Sequence, residues 1–475
     1  MRPEASPVVA VGNRVIELTP GGPTRTAIDA AGTNDKTLLV ASILLLLTAL
    51  GALVGAKAAE RLRLGLVGIG LVTALACYCA LTTRAARVTD VIPSLAAGVA
   101  AAGVLTVLTR LLRAASAPDP YVTGRRNLLL AAGAGVVTAA AAGLGGRALQ
   151  SARFDVTGER DRVALDAPPA TVPRGADLGR SPVPWRTPNS SFYRIDTALD
   201  VPQLSSRDWR LRVHGLVDRP LTLDFEQLLA RPQVDRWITI NCVDNPVGGG
   251  LVGNALWRGA LLADLLREAG LQDGCEQLLM RSVDGMTIGA PTEVVMDGRD
   301  ALLAVGMNGV PLPVRHGYPV RVIVPGLYGY VSACKWITSI EATTYDTDSY
   351  WTGKGWGRTP ELNLASRIDR PTPGATVSVG ETTSIAGVAW DQHVGVAAVE
   401  VRINDEPWRA ARLAAVPSSD TWRQWVLPWT PPASGEYRLT VRATAADGTP
   451  QIAEYREPYP AGGTGLHTVM VRAII

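Results

Sequence analysis

In the stretch WITINCVDNPVGG, residues 237–249, an apolar run of β type stops at a single thiol, Cys242, and breaks into Asp244, Asn245, Pro246 and glycines. A strand that delivers a lone thiol to a glycine-rich loop can hold a ligand or a nucleophile at the mouth of a sheet. The same residue can equally pack as a small buried hydrophobe. Asp244 and Asn245 either orient a substrate or water beside the thiol, or satisfy the backbone of a turn before Pro246. A second set of chemistry-bearing residues lies in VPLPVRHGYPVRVIVPGLYGYVSACKW, which carries His316, Arg321 and Lys335 with strand character between them. Arg321 sits in an otherwise apolar strand, and an unpaired buried guanidinium is costly. It therefore needs a local carboxylate, an edge facing water, or an anionic ligand. A bidentate Arg with a Lys and a His makes a natural phosphate or pyrophosphate clamp.

The elements that must position these groups belong to an α+β region spanning about 180 to 360. DWRLRVHGLVDRPLTLD alternates in short strands and turns, and FEQLLA then reads as a helix. LLADLLREAG predicts a second helix closed by Gly270, and strands follow at EQLLMRSV and YPVRVIVPG. Residues 366–475 change character. TSIAGVAW, VAAVEVRI, RQWVLPW and YRLTVRATA are β-rich with turn signals between them, which predicts an immunoglobulin-like β-sandwich. Its tryptophans, Trp390, Trp408, Trp422, Trp425 and Trp429, are expected in core and interface.

Upstream, the composition is that of a membrane protein. Four apolar runs, Thr37 to Ala56, Leu64 to Leu81, Val91 to Leu108 and Leu128 to Leu144, each approach the length that crosses about 30 Å of hydrocarbon. The fourth is short and Ala/Gly-rich, and also reads as a buried soluble helix. Basic residues concentrate after the first run (Lys57, Arg61, Arg63) and the third (Arg110, Arg113, Arg125, Arg126), which places those gaps in the cytoplasm. The expectation is a multi-pass cell-membrane protein: residues 1–36 form an extracytoplasmic tail, 37–146 a four-helix transmembrane region, 147–186 a linker or extended wrap, 187–362 the catalytic domain and 363–475 the sandwich. Everything after residue 146 is then extracytoplasmic. Such a polar external tail with no upstream apolar segment leads to the expectation that an earlier membrane helix has been lost from this chain or lies beyond its assigned start. The pair Arg125-Arg126 before a Gly/Ala-rich run reads either as a twin-arginine export signal or as an ordinary basic flank.

Composition also excludes. A net charge of +3 over 475 residues, with no Lys/Arg cluster interleaved with aromatics, gives no nucleic-acid signal. Five scattered cysteines form neither a disulfide framework nor a CxxC zinc site. There is no CxxCH haem signature, and the apolar runs contain no histidine to ligate haem. Redox chemistry in this chain would therefore need a separate electron carrier, cytochrome or quinone-linked.

TPNSSFYRID, then NCVDN after a strand, then MNGVPLPVRHGYPVRVIVPGLYGYVSACKW, then a β-sandwich, resembles the sulfite oxidase family of molybdopterin enzymes over about 290 residues from Thr187. The membrane portion resembles a bacterial membrane-anchored subgroup. The resemblance implies molybdenum–molybdopterin, with Cys242 as the metal ligand, since a soft thiolate suits such a metal. It further implies pterin and phosphate contacts from Asn189, Phe192, Tyr193, His316, Arg321 and Lys335, with Ser282 a weaker match. The sandwich resembles the family's dimerisation domain, which implies a homodimer. Two departures concern the substrate. No arginine follows Cys242, and Trp356 falls where the family has an active-site tyrosine. Arg194 supplies one positive charge about a residue out of register. Oxygen-atom transfer on a small substrate is expected, with sulfite itself doubtful; the other reading is a cofactor-free binding or scaffold protein that keeps the fold.

Overall fold

The computed structural model describes residues 5–19, 35–115, 155–166, 169–358 and 362–475, with a few isolated positions between 130 and 146. Two compact units are distinguished. One comprises Met1–Asp155 with Asp196–Gln203, and the other Val156–Ile195 with Leu204–Ile475.

The first unit is helical: α1 (Pro7–Leu18), α2 (Asp35–Glu60), α3 (Leu62–Leu81) and α4 (Ile92–Ala115). Three helices, spanning 36–60, 62–81 and 88–113, are long and apolar enough to cross a membrane. Their leucines point outward, Leu45 being 72% exposed and Leu71 67%, as suits a lipid-facing surface with no water to avoid. Inward, small residues allow close helix contact: Cβ atoms added at Gly65 and Gly98 would lie 2.4 Å from Ala58 Cβ and 2.3 Å from Thr73 Oγ1. The fourth apolar run falls almost wholly outside the described residues, as does Arg125-Arg126.

The tail expected to be merely polar contains α1, which starts at the proline. Glu17 on α1 accepts from Arg14 at 3.0 Å and pairs with Arg84, beyond the end of α3, at 3.2 Å. Residues 196–203 join the same unit. Lys36 Nζ donates to Asp196 Oδ1 at 2.7 Å and to the Ala198 carbonyl at 2.5 Å.

The second unit opens with an extended wrap. Residues 156–166 and 169–186 contain little regular structure but bury Trp185 completely; residues 147–154 and 167–168 of the expected linker lie outside the described residues. Next come β1 (Arg210–Gly215), β2 (Leu221–Asp224), helix α5 (Phe225–Leu229), β3 (Gln233–Asn241), β4 (Val252–Leu261) and helix α6 (Leu262–Ala269). The run continues with β5 (Gln277–Ser282), β6 (Thr287–Pro291), β7 (Leu302–Met307), β8 (Val310–Pro311), β9 (Arg321–Ile323) and β10 (Ile337–Thr343). They build two sheets, one ordered β2-β1-β10-β5-β6 and the other β3-β4-β7-β8, with β9 also on β7. Helix α6 turns Leu262, Leu265, Leu266 and Ala269 into the main core, the spacing of one helical face. It ends where Gly270, at φ +70°, donates its N–H to the Leu266 carbonyl at 3.0 Å.

The C-terminal sandwich holds β11 (Ala365–Arg370), β12 (Thr376–Ser378), β13 (Thr383–Trp390), β14 (Val396–Ile403), β15 (Arg409–Ala410), β16 (Arg412–Leu413), β17 (Arg423–Trp429), β18 (Gly435–Ala445) and β19 (Thr468–Ile474). One sheet runs β11-β13-β17-β16, the other β12-β19-β18-β14-β15. Alternate residues Val469, Val471 and Ala473 of β19 are buried, the period-2 signature of a half-buried strand. Trp390 and Trp422 join Trp185 in a second core, where Trp422 Nε1 donates to the Trp185 carbonyl at 2.9 Å. Trp408 sits nearer the surface. It is half-exposed, with the guanidinium groups of Arg402 and Arg442 over its ring at 4.8 and 4.2 Å.

Candidate active site

The β3–β4 hairpin decides where the lone thiol goes. Its antiparallel register ends at Asn241 opposite Val252, and residues 242–251 form the connecting loop. The loop closes on itself. Cys242 N–H donates to the Leu251 carbonyl at 2.9 Å, Asn245 N–H to the Cys242 carbonyl at 3.1 Å, and Leu251 N–H to Asn245 Oδ1 at 2.8 Å. Asn245 thus spends its side-chain oxygen on the turn, the structural alternative left open by the sequence. Cys242 is buried, and burial first of all pushes its thiol up to about 12. Such a thiol is inert as a free nucleophile and becomes a thiolate when a metal cation takes the proton's place.

Side chains from five segments, 189–195, 253–257, 307–308, 316–321 and 335–336, converge on one another, and Tyr193 among them feels the charge of Cys242. Asn189 is held on both faces of its amide: Asn308 Nδ2 donates to its Oδ1 at 2.7 Å, and its Nδ2 donates to the Met307 carbonyl at 3.3 Å. Its own carbonyl lies 3.0 Å from His316 Nε2. Phe192 meets Trp257 and His316 edge-on at 5.7 Å each and stacks on Tyr193 at 5.4 Å. Gly253 of β4 makes room for it, since an added Cβ would lie 2.8 Å from the Phe192 ring.

Arg321 opens β9 at 5% exposure. Its Nη1 donates to the His316 carbonyl at 3.1 Å and its guanidinium lies 5.1 Å from the Trp257 ring, but Nε has no partner. No carboxylate pairs with it among the described residues. Burial pushes this guanidinium down to about 10. Gly317, at φ +112°, lets Lys335 approach: an added Cβ would lie 3.0 Å from Arg321 Cβ and 3.2 Å from Lys335 Cα. Lys335 Nζ donates to the Ile195 carbonyl at 3.0 Å and stands 4.7 Å from the centre of the Trp336 ring. His316 is pushed down to about 4, by burial first, then by Arg321, with Lys335 and Arg194 adding their charge. It is neutral at neutral pH, in a positive field. Tyr193 feels both Cys242 and Arg321, and burial raises its hydroxyl well above the usual range.

Ser282 ends β5 opposite Ile337, with its hydroxyl buried and without a partner. Arg194 is exposed. Trp356 packs in an aromatic cluster with Tyr330, Trp351 and Tyr459, at 6.0, 6.3 and 5.3 Å. The aromatic group whose charge couples to Cys242 from the GLYGY segment is instead Tyr328, which burial pushes up to about 12. Sequence reasoning passed over Tyr328, Trp257, Asn308 and Asn241. Of these only Asn308, in the NG turn at φ +54°, carried a local signal.

The donor set fits a polyanionic, hydrogen-bonding group that carries a thiophilic metal. Arg321 Nε, Ser282 Oγ and Asn241 Oδ1 are buried polar atoms without partners, and the guanidinium lacks the counter-ion that burial demands. The class of protein follows from comparison with known families. The model described as "Oxidoreductase molybdopterin binding domain" matches residues 198–351, and "Bacterial Ig domain" matches 365–441. Chicken sulfite oxidase is 30% identical over 309 residues, covering 55% of this chain and 67% of its own. Human mitochondrial sulfite oxidase is 31% identical over 309 residues, 55% of this chain and 56% of its own. An uncharacterised oxidoreductase of Bacillus subtilis is 32% identical over 179 residues, 38% of this chain and 86% of its own. The solved sulfane dehydrogenase SoxCD of Paracoccus pantotrophus shares the fold, with a TM-score of 0.53 and 24% identity over 66% of this chain and 94% of its own. The chain belongs to the sulfite oxidase family of molybdopterin-dependent oxidoreductases, and its cofactor is molybdenum–molybdopterin.

Proposed function

We propose that the chain is a membrane-anchored oxidoreductase that transfers an oxygen atom to or from a small extracytoplasmic substrate and exchanges electrons with a separate cytochrome or quinone-linked carrier. The buried Arg321, with no carboxylate partner among the described residues, and the buried thiol of Cys242, both close enough to Tyr193 for their charges to be felt there, carry this reading. Cys242 would ligate the metal; Asn189, Phe192, Tyr193, His316, Arg321, Lys335 and Ser282 would hold the pterin and its phosphate. When bound, the cofactor supplies a two-electron couple suited to oxygen-atom transfer. The protein's part is charge and shape. Arg321 and Lys335 balance an anion, His316 stays neutral and acts through the hydrogen bond to the Asn189 carbonyl, and Phe192 and Trp257 keep water from that side. Arg194 and Trp356 are the proposed substrate-side residues. With Arg194 exposed and no arginine after Cys242, the site is poor in the cations a dianion needs. Sulfoxides and N-oxides therefore join sulfite as candidates.

The topology supported by basic-residue bias places the tail, the second gap and all residues after 146 on the outer side. The Arg84–Glu17 and Lys36–Asp196 pairs favour it, since they bring the second gap to α1 and residues 196–203 to the start of α2. Pairing of two chains through the sandwich is part of the proposal. The test is molybdenum and pterin content of detergent-purified wild type and Cys242→Ser, followed by assays with sulfite, sulfoxides and N-oxides and an artificial electron carrier. Stoichiometric metal in the wild type that is lost or spectroscopically altered in the variant supports the assignment. Unaltered metal in Cys242→Ser overturns it.

A further inference from the structure

The glycine-rich loop after Cys242 is gripped from outside by the C-terminal sandwich. Arg367 of β11 donates from Nη1 to the Gly249 carbonyl at 2.6 Å. Its Nε is tied to Asp369 Oδ1 at 2.6 Å, and Asp369 Oδ2 in turn accepts from Ser181 at 3.1 Å, so the fork is fixed before it reaches the loop. Both members of the Arg367–Asp369 pair are buried, with side chains 8% and 6% exposed. His467 supplies the second jaw. A Cβ added at Gly248, where φ is +77°, would lie 2.3 Å from the imidazole. Only glycine lets the loop rest directly on the ring. The Ile368 N–H donates to His467 Nδ1 at 3.0 Å, which fixes the ring's orientation.

The seam between the loop and the sandwich contains a small cleft. It is lined by Asn241, Val247 and Gly248 with Tyr328 on one side and by Ser366 and Trp390 of the sandwich on the other. Asn241 Oδ1 and Trp390 Nε1 are buried there without partners. Gly463 and Gly465 also pack on the loop, beside the Asn245 carbonyl and Val247, while the directed contacts at residues 248 and 249 come from His467 and Arg367. Any displacement of Gly249 passes within two residues to Leu251, whose carbonyl accepts from Cys242 N–H.

We infer that Arg367 and His467 are positioning residues for Cys242, so that the C-terminal sandwich sets the geometry of the metal ligand. This rests on the reading that Cys242 binds molybdenum. The full-length, detergent-purified protein is compared as wild type, Arg367→Met, Arg367→Lys and Gly248→Ala, with Arg438→Met as a control at an exposed ion pair with Asp405 of the same domain. Three readouts are taken: the electron paramagnetic resonance (EPR) signal of reduced molybdenum, amide hydrogen exchange over 243–251 in cofactor-free protein, and thermal unfolding. Both Arg367→Met and Gly248→Ala are expected to shift the EPR signal and to speed loop exchange, Arg367→Met by roughly tenfold, the effect of losing one charge-assisted hydrogen bond. Arg367→Lys is expected to restore part of both, and Arg438→Met to change neither. An EPR signal unchanged in Arg367→Lys and Gly248→Ala overturns the inference, whatever happens to melting or exchange. Arg367→Lys and Gly248→Ala carry the test if Arg367→Met does not accumulate. Cys242→Ser, run alongside, separates the two ideas: unaltered metal there refutes the ligand assignment rather than the grip.

Discussion

Replacing Arg321 with Met has opposite expected effects with and without cofactor. In the cofactor-free fold the guanidinium is buried, and burial pushes it down from 12.5 to about 10. At about 1.4 kcal/mol per pH unit, holding the cation there costs folding about 3 kcal/mol at neutral pH. Against this stand one hydrogen bond to the His316 carbonyl, worth about 1 kcal/mol, and the Trp257 contact, worth about 1 kcal/mol. Methionine keeps most of the volume and removes the charge. The cofactor-free variant should therefore melt at or slightly above the wild-type temperature. With cofactor the sign reverses, because a charge-assisted hydrogen bond to an anion is lost. That is worth about 1.5 to 3 kcal/mol, or roughly 10- to 150-fold in retention. Differential scanning fluorimetry on protein from a host that lacks the cofactor, and molybdenum per chain after dialysis, read the two arms. A cofactor-free variant destabilised by several kcal/mol, with metal content falling only in proportion to folded protein, would refute the assignment of Arg321 to an anionic ligand.

Further outcomes are expected. Lys335→Met should reduce cofactor retention by less than Arg321→Met, roughly two- to fivefold, because Lys335 is half-exposed and screened; equal losses would contradict the burial argument. Burial pushes His316 and His467 down to about 4, so below pH 6.5 the unfolded chain takes up protons that the folded chain refuses until about pH 4. Stability of cofactor-free protein should be full above pH 6.5 and fall through that window, and His467→Gln should flatten the fall; parallel melting curves for the two proteins would count against it. Three helices of membrane-crossing length predict that the chain stays in the membrane pellet after an alkaline carbonate wash, and release into the supernatant would remove the anchor from the proposal.

Much of the site was legible in the linear sequence because its signals are local. A thiol after a β run, an arginine inside an apolar strand and a glycine at a helix end each announce a conflict or a stop that neighbouring residues cannot resolve. Asn189, Phe192 and His316, all named from the family resemblance, come into contact in the fold. Trp257 and Tyr328 gave no such sign, since an aromatic residue in an apolar strand reads as core until a cation or thiol is brought beside it. Trp408 lies half-exposed between two arginines that come from β14 and β18, a contact that no local pattern announced.

By itself the sequence determined the periodicities, and with them the membrane-length helices, the α6 face and its Gly270 cap, the alternating strands of the sandwich and the types of residue available for chemistry. Tertiary structure alone decided which of those residues became neighbours. Arg321 escaped a carboxylate because β9 pairs on β7 beside Trp257, and Lys335 reached it because Gly317 has no side chain to stand in the way. The Cys242 loop rests on Arg367 and His467, over a hundred residues away in the chain. Such contacts depend on how sheets stack and where their edges fall, and no local pattern of residues encodes that.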